Sequence, residues 1–139
     1  MVDATGRRTA SLDWLDEIGA RKPQFEQEEH GFVYYSRYFG GPRVPVPRAP
    51  GITPIGSFSL LTIPSDNNTW SITIYGAARD QLLKKVRDPE VFDRLLRACP
   101  AHAHWLDGEP LTEVLPMAGI SDSCRRFFSD GAPVVTGFA

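Results

Sequence analysis

The sequence lacks several features that mark common classes of protein. No apolar run approaches the roughly 20 residues that a helix needs to span a bilayer, and the N-terminal segment has no apolar stretch of the signal-peptide type. The formal net charge is only −2, so no excess of one sign marks a surface for nucleic acid or anionic lipid. The sequence therefore predicts a cytoplasmic protein that binds neither nucleic acid nor membrane.

Residues that bind metals or carry out nucleophilic catalysis are also scarce. The two cysteines, Cys99 and Cys124, have no metal-ligand spacing, so we expect reduced thiols. His102 and His104 lack a third ligand spaced for zinc, which favours packing or surface roles and no metal site. The acids within residues 107–109 allow acid–base chemistry beside these histidines, although a solvated turn explains them more simply.

Phosphate-binding and nucleophile motifs are missing as well. The chain contains no glycine-rich loop of the GxGxxG or Walker type and therefore no dinucleotide-binding fingerprint. Ser121 and Ser123 lack the strand–turn–helix setting of a nucleophile elbow. Arg125 and Arg126 fit either bidentate binding of an anion or a structural ion pair, and the pattern leaves both open.

What is present indicates one globular domain. The chain has 139 residues, of which 42% are hydrophobic and 23% charged, enough for a substantial core. Residues 2–8 read as the end of a buried strand followed by a glycine turn, and residues 133–139 as a strand with nothing after it to pair with. We therefore expect a single domain cut from a larger fold.

Hydrophobic periodicity predicts an α+β fold, in which an antiparallel β-sheet carries helices on one face. Ser11 is the expected cap of the first helix, with Leu12, Leu15 and Ile18 as its apolar positions. Residues 23–29 read as a polar connection, and the proline-rich residues 40–54 as a stiff arm. The predicted strands are 32–39, 57–63, 70–75, 111–117, 124–128 and 133–138. The second and third of these form a predicted hairpin, in which Trp70 and Tyr75 lie on opposite faces. The predicted helices after the first are 78–86, with Leu82, Leu83 and Val86 on its apolar stripe, 88–99, which starts at Asp88 and Pro89, and 102–106.

The strand at residues 32–39 is the most site-like segment. Alternation places Tyr34, Ser36 and Tyr38 on one face and Val33, Tyr35 and Arg37 on the other. Aromatic rings around a central arginine can stack a ligand ring and hold an anion. Core packing on one face and rim packing on the other explains the pattern about as well, so both interpretations stay open.

Several segments, in their order and spacing, resemble the FAD-dependent monooxygenase-like oxidoreductases of the p-hydroxybenzoate hydroxylase fold. The first is DATGRR at residues 3–8, which resembles the segment by which those enzymes leave the flavin domain and enter the middle, substrate-binding domain. The likeness ends on GAPVVTG at residues 131–137, which resembles the stretch before the Gly-Asp flavin-ribityl motif of that family. Between them the matching segments are YYSRYF at 34–39, NTWSIT at 68–73, HWL at 104–106, PMAG at 116–119 and RRF at 125–127.

The resemblance implies the substrate-binding domain of an oxidoreductase, with a monooxygenase acting on an apolar or aromatic small molecule as the expected parent. Gly6 and Arg7 match the turn near the flavin pyrophosphate, although Thr5 stands where many relatives have aspartate. FAD is the cofactor expected in the parent enzyme, and this chain alone is expected to bind none because it lacks the pyrophosphate loop. The implied substrate-binding residues are Tyr34, Tyr35, Arg37, Tyr38 and Trp70.

A stand-alone, non-enzymatic ligand-binding or interaction module is the alternative to the flavoenzyme interpretation.

The sheet surface left open by a missing flavin domain predicts self-association, most simply as a two-fold homodimer. Residues 32–39 and 133–138 are its expected interface, with the arm from Pro42 to Pro54 reaching across.

Overall fold

The computed structural model describes residues 4–6, 9–20, 23–29, 31–126, 128–129 and 131–133. The chain divides into two compact units, one formed by Glu29–Ile120 and the other by Met1–Glu28 together with Ser121–Ala139. Helices combine with antiparallel sheets, which confirms the mixed α+β class. Among the described residues, no helix is long and apolar enough to cross a membrane.

The unit Glu29–Ile120 is built on an antiparallel sheet that confirms the predicted hairpin and aromatic strand. Its strands are β2 (Phe32–Gly40), β3 (Ile52–Ile55), β4 (Phe58–Pro64), β5 (Thr69–Ala77), β6 (Glu109–Pro110) and β7 (Leu115–Ala118). Neighbouring strands follow the order β3-β4-β5-β2, and β6 and β7 both pair with the remaining edge of β2. The turn between β4 and β5 places Asn67 and Asn68 at positive φ, which asparagine tolerates better than most residues.

Helical segments cover one face of this sheet. Helix α2 (Pro89–Arg97) begins as predicted, because the Asp88 carboxylate accepts a hydrogen bond from the Glu90 amide at 2.8 Å and Pro89 occupies the first turn. A 3₁₀ helix at Leu83–Arg87 precedes it, and another at Ala103–Leu106 follows. The core between sheet and helices includes Leu60, Ile72, Ile74, Phe92, Leu96 and Trp105, all essentially inaccessible to solvent.

The other unit contains helix α1 (Ser11–Glu17) and two short ladders. Strand β1 (Gln24–Glu29) pairs with β8 (Ser121–Arg126), and β9 (Phe128–Ser129) pairs with β10 (Ala132–Pro133). Residues 23–29 were expected to be a polar connection, and that prediction is wrong. The pairing is accompanied by a Gln27–Ser121 hydrogen bond of 2.9 Å and a Glu26–Arg126 ion pair of 3.2 Å.

Two helix predictions also need correction. Ser11 is not the cap of α1, because it is the first helical residue and Ala10, whose side chain cannot accept a hydrogen bond, occupies the cap position. The Thr9 hydroxyl accepts a hydrogen bond from the Ser11 amide at 3.0 Å, and Ile18 is exposed. In the segment predicted as a helix at 78–86, only the second half is helical and Leu82 is 74% exposed. Leu83 and Val86 are buried as expected.

The later strands and the arm differ in their bounds. The strand predicted at 111–117 is confined to Leu115–Ala118, while that at 124–128 begins earlier, at Ser121. The arm is irregular up to residue 51 and then forms β3, where Pro54 is tolerated because β3 lies at the edge of the sheet. Of the strand predicted at 133–138, residues 134–138 lie outside the described part of the chain.

Candidate functional site

The candidate site is the sheet face that the helical segments leave uncovered. Opposed residues of antiparallel strands share a face, so the pairs Tyr34–Tyr75 and Ser36–Thr73 lie on the same side of β2 and β5. The alternate residues, such as Tyr35 and Ile74, point into the helix-covered core. We call the first side the open face.

The open face is rich in large apolar side chains. Antiparallel sheets that face water usually carry polar residues on that side, whereas six large side chains here are between 41% and 56% exposed. Register places all of them on the open face, which extends across β3, β4, β5, β2 and β7. They are Phe32, Tyr38, Ile52, Ile63, Leu115 and Met117.

Aromatic side chains form the centre of this face. The Tyr34 and Tyr75 rings stack with centroids 5.2 Å apart and planes inclined by 17°. Phe32 meets Tyr75 edge-on at 6.5 Å. Because each ring is held by a neighbour, the surface offers preformed aromatic contact area to a ligand.

A pair of hydroxyl groups lies one register step from the stacked rings. The oxygens of Ser36 and Thr73 are 2.7 Å apart, and either can be the donor. One hydroxyl hydrogen is therefore used within the pair, and the other is left for a further acceptor. Thr73 is buried whereas Ser36 is half-buried, so Ser36 is the more accessible partner.

The five implied substrate-binding residues do not share one surface. Tyr34 and Tyr38 lie on the open face, whereas Tyr35, Arg37 and Trp70 lie on the covered face and are buried. A single ligand on the open face cannot contact all five. The sequence alternation had already separated Tyr35 and Arg37 from Tyr34 and Tyr38, and that separation is confirmed.

Arg37 connects three elements of the larger unit. Its guanidinium donates to the Asp93 carboxylate in α2 at 2.8 Å and to the Thr112 carbonyl at 3.2 Å. It also lies 5.5 Å from the centre of the Phe39 ring. These contacts compensate a largely buried charge and account for the arginine in structural terms.

Trp70 and Tyr35 are likewise held in the core. The Trp70 indole donates to the Trp105 carbonyl at 2.8 Å and stacks on Phe39 at 6.4 Å. Burial raises the pKa of the Tyr35 phenol, and the charge of Arg87 offsets this in part.

The residues matched to the flavin pyrophosphate turn are only partly described. Gly6 has φ of +58°, a conformation that favours glycine, and apart from its chain neighbours no atom of the described residues lies within 4 Å of the position a Cβ would occupy. The turn therefore leaves room for the close approach of another group. Arg7 lies outside the described residues.

The remaining charged candidates have local partners. Arg126 pairs with Glu26, and the guanidinium of Arg125 lies 5.6 Å from the centre of the Phe25 ring. Cys99 is buried and Cys124 exposed, both as free thiols. Within the described ranges, no three metal-ligating side chains come together.

Both histidines of the predicted pair make hydrogen bonds. The Nε2 atom of His102 lies 3.0 Å from the Thr53 hydroxyl, and Nε2 of His104 lies 2.8 Å from the Val46 carbonyl. Burial lowers the pKa of His102, and the nearby His104 lowers it further. His102 is therefore neutral at physiological pH and part of the packing between elements.

Sequence reasoning missed most of the open face. Tyr75 appeared in the hairpin, on the face opposite Trp70, but was not chosen as a site residue. Leu115 and Met117 join the face only because β7 pairs with β2 across some 80 residues of chain. The sequence feature that could have identified them is the alternation within LPMA at residues 115–118, but four residues are too few to show which side of the strand is buried.

No protein-family model matches this chain, and no curated protein matches it.

Proposed function

We propose that this chain is the substrate-binding domain of a FAD-dependent oxidoreductase, a monooxygenase whose substrate is an apolar or aromatic small molecule. The observation that carries the proposal is the open face, an aromatic surface on a sheet whose other side is sealed by helices. Exposed apolar surface of this kind commonly marks binding sites. The order of segments that resembles the flavoenzyme family supplies the reaction class.

In this proposal the protein positions the substrate. Tyr34 and Tyr75 contact the plane of a ring, and Leu115 and Met117 contact its edge from the neighbouring strand. The Ser36 hydroxyl, with Thr73 donating to it, can donate to a carbonyl or hydroxyl oxygen of the ligand. An apolar ring that carries one polar acceptor is therefore the substrate class this face fits best.

Bound FAD would supply the redox chemistry that activates oxygen. The described residues fit the binding of FAD in part, because the exposed turn at Gly6, which resembles the turn near the flavin pyrophosphate, leaves space for another group. The open face would hold the reacting carbon in a fixed orientation and exclude water from it. We expect this chain alone to bind no FAD, and flavin absorbance co-purifying in equal amount would contradict that expectation.

A binding titration tests the site. Naphthol serves as a neutral aromatic probe, measured by its fluorescence with the wild type, Tyr34→Ala and Tyr38→Ala. Each variant should bind roughly three- to tenfold more weakly, as expected for the loss of one aromatic contact. Leu82→Ala is the matched control, because Leu82 is exposed but lies outside the open face. Equal losses in all three variants would contradict an open-face site.

The coding region distinguishes the flavoenzyme from the stand-alone binding module. An open reading frame that continues upstream into a GxGxxG motif and downstream into a Gly-Asp motif supports the flavoenzyme proposal. Stop codons at both ends support the module instead. The naphthol titration tests whether the open face binds a ligand, and its result does not depend on which of the two is correct.

A further inference from the structure

A cavity of about 580 Å³ lies beside the arm that joins β2 to β3. Its volume falls within the range of small-molecule sites. Arm residues form one side, and Trp70, His104 and Asp107 form the other. Because Trp70 belongs to the covered face of the sheet, this arm cavity is separate from the open face.

The arm is held in place along its length. The Val46 carbonyl can only accept, so Nε2 of His104 carries the hydrogen of their 2.8 Å bond. Prolines at 42, 45, 47 and 50 restrict the backbone between the anchors. The ends are fixed by a bond from the Gly41 amide to Asn68 at 3.2 Å and by one from the Thr62 amide to Gly51 at 2.8 Å. Little conformational entropy remains to be lost when a ligand binds.

Two arginines of the arm give the cavity a positive character. Arg43 and Arg48 both line it and both are exposed. Within the described part of the chain, neither guanidinium has a hydrogen-bond or ion-pair partner. Asp107 is the one carboxylate among the lining residues, so two positive charges face one negative charge in a chain whose net charge is −2. The cavity therefore has the opposite sign to the chain as a whole.

The rest of the lining is apolar. Pro42, Val44, Pro45 and Val46 contribute aliphatic surface, and the buried Trp70 lies behind them in the cavity wall. Trp70 cannot move aside easily, because its indole is hydrogen-bonded to Trp105. Such a site combines unpaired donors with an apolar wall, as small-molecule sites commonly do.

We propose that the arm cavity binds an organic anion, a small apolar or aromatic molecule that carries a carboxylate or phosphate group. The guanidiniums of Arg43 and Arg48 hold the anionic group through charge-assisted hydrogen bonds. Val44 and the prolines at 42 and 45 contact the apolar body. This site is independent of the proposed function, because no residue of the open face contributes to it.

The test is a titration followed by NMR, with the backbone amides of Val44 and Val46 as reporters. Benzoate and phenyl phosphate are the probes, and neutral benzyl alcohol controls for the anionic group. Arg43→Gln and Arg48→Gln should each weaken binding of the preferred anion about tenfold, as for the loss of a charge-assisted hydrogen bond. Asp107→Asn should tighten it about twofold by removing a repulsive charge.

Two control variants make the result specific. Arg79 is an exposed arginine outside the cavity, so Arg79→Gln should change affinity less than about twofold. Tyr34→Ala should leave anion binding at the arm unchanged while weakening naphthol binding at the open face. The relative affinities of benzoate and phenyl phosphate decide between a carboxylate and a phosphate ligand.

Three results would overturn the proposal. The first is the absence of saturable shifts at Val44 and Val46 with millimolar benzoate or phenyl phosphate. The second is benzyl alcohol binding as tightly as the anions. The third is an equal loss of affinity in Arg79→Gln, Arg43→Gln and Arg48→Gln, which would indicate attraction to overall charge.

Discussion

Tyr34 of β2 and Tyr75 of β5 lie directly opposite each other, and their rings stack 5.2 Å apart on the side of the sheet that the helices do not cover. On the opposite side of the same two strands, Tyr35 and Ile74 are paired in the same way and are buried. One register thus produces both a sealed core and an exposed aromatic surface. The functional proposal depends on that asymmetry.

Arg37 is expected to act in stability rather than in ligand binding. Replacing it with methionine removes the hydrogen bonds to Asp93 and Thr112, and leaves Asp93 without its partner. The free energy of unfolding should fall by about 2 kcal/mol, less than for a fully buried pair because Asp93 is partly exposed. Urea denaturation measures this loss, and unchanged naphthol affinity in folded Arg37→Met should accompany it. A stable variant with lost binding would contradict the structural role.

Gly108 is required for the placement of Trp70. A Cβ at this position would overlap the Trp70 ring and lie 2.7 Å from the Gly40 carbonyl oxygen, so the backbone must shift. Gly108→Ala should destabilise the protein by about 2 kcal/mol, the usual range for overpacking. Gly51→Ala is the control, since among the described residues its Cβ would meet only the Thr62 carbonyl oxygen, at 3.4 Å. Equal thermal stability of the two variants would show that the Trp70 contact is not restrictive.

His102 is expected to make stability depend on pH. Burial lowers its pKa below the ordinary value of 6.5, so the unfolded chain takes up a proton at a pH where the folded chain does not. Stability is therefore retained above the unfolded pKa and falls as the pH decreases below it. The urea concentration at the unfolding midpoint should be lower at about pH 5.5 than at about pH 7.5. In His102→Gln the difference between the two midpoints should be smaller. An identical drop in wild type and variant would assign the pH dependence to other groups.

The open face also predicts self-association. Its six exposed apolar side chains should be covered in a two-fold dimer at micromolar concentration. Met117→Glu places a charge within the interface and should give a monomer, whereas Leu82→Glu should remain dimeric. Sedimentation velocity distinguishes these outcomes. A monomeric wild type at that concentration would contradict the prediction.

The helices and strands that were predicted correctly are those whose sequence patterns lie within the element itself. The spacing of apolar residues and the Asp88–Pro89 start predicted α2, and alternation predicted both β2 and the β4–β5 hairpin. Strand β1 was missed because its segment is mostly polar and becomes a strand by pairing with β8, about 100 residues away. Leu82 was misassigned because the predicted helix at 78–86 becomes helical only from Leu83, where a 3₁₀ helix begins, so Leu82 lies before the helix and is exposed.

The site was predicted only in part for a related reason. Alternation in β2 correctly separated Tyr34 and Tyr38 from Tyr35 and Arg37, but it could not say which face the helices cover. That depends on long-range packing of Phe92 and Leu96 against the sheet. Trp70 was grouped with the site by resemblance, whereas its hydrogen bond to Trp105 holds it in the core.

The methyl group of Met117 provides the most direct test of the central claim, that the open face binds an apolar or aromatic small molecule. Met117 lies opposite Tyr34 in the β2–β7 register and is one of two methionines in the chain. The protein is labelled with carbon-13 at the methionine methyls, and the Met117 signal is identified by its absence in Met117→Leu. Naphthol is then added at a protein concentration below that at which the chain self-associates. We expect a saturable ring-current shift of the Met117 methyl that is lost in Tyr34→Ala and kept in Leu82→Ala. A Met117 signal that does not move, or that moves equally in Tyr34→Ala, would contradict it.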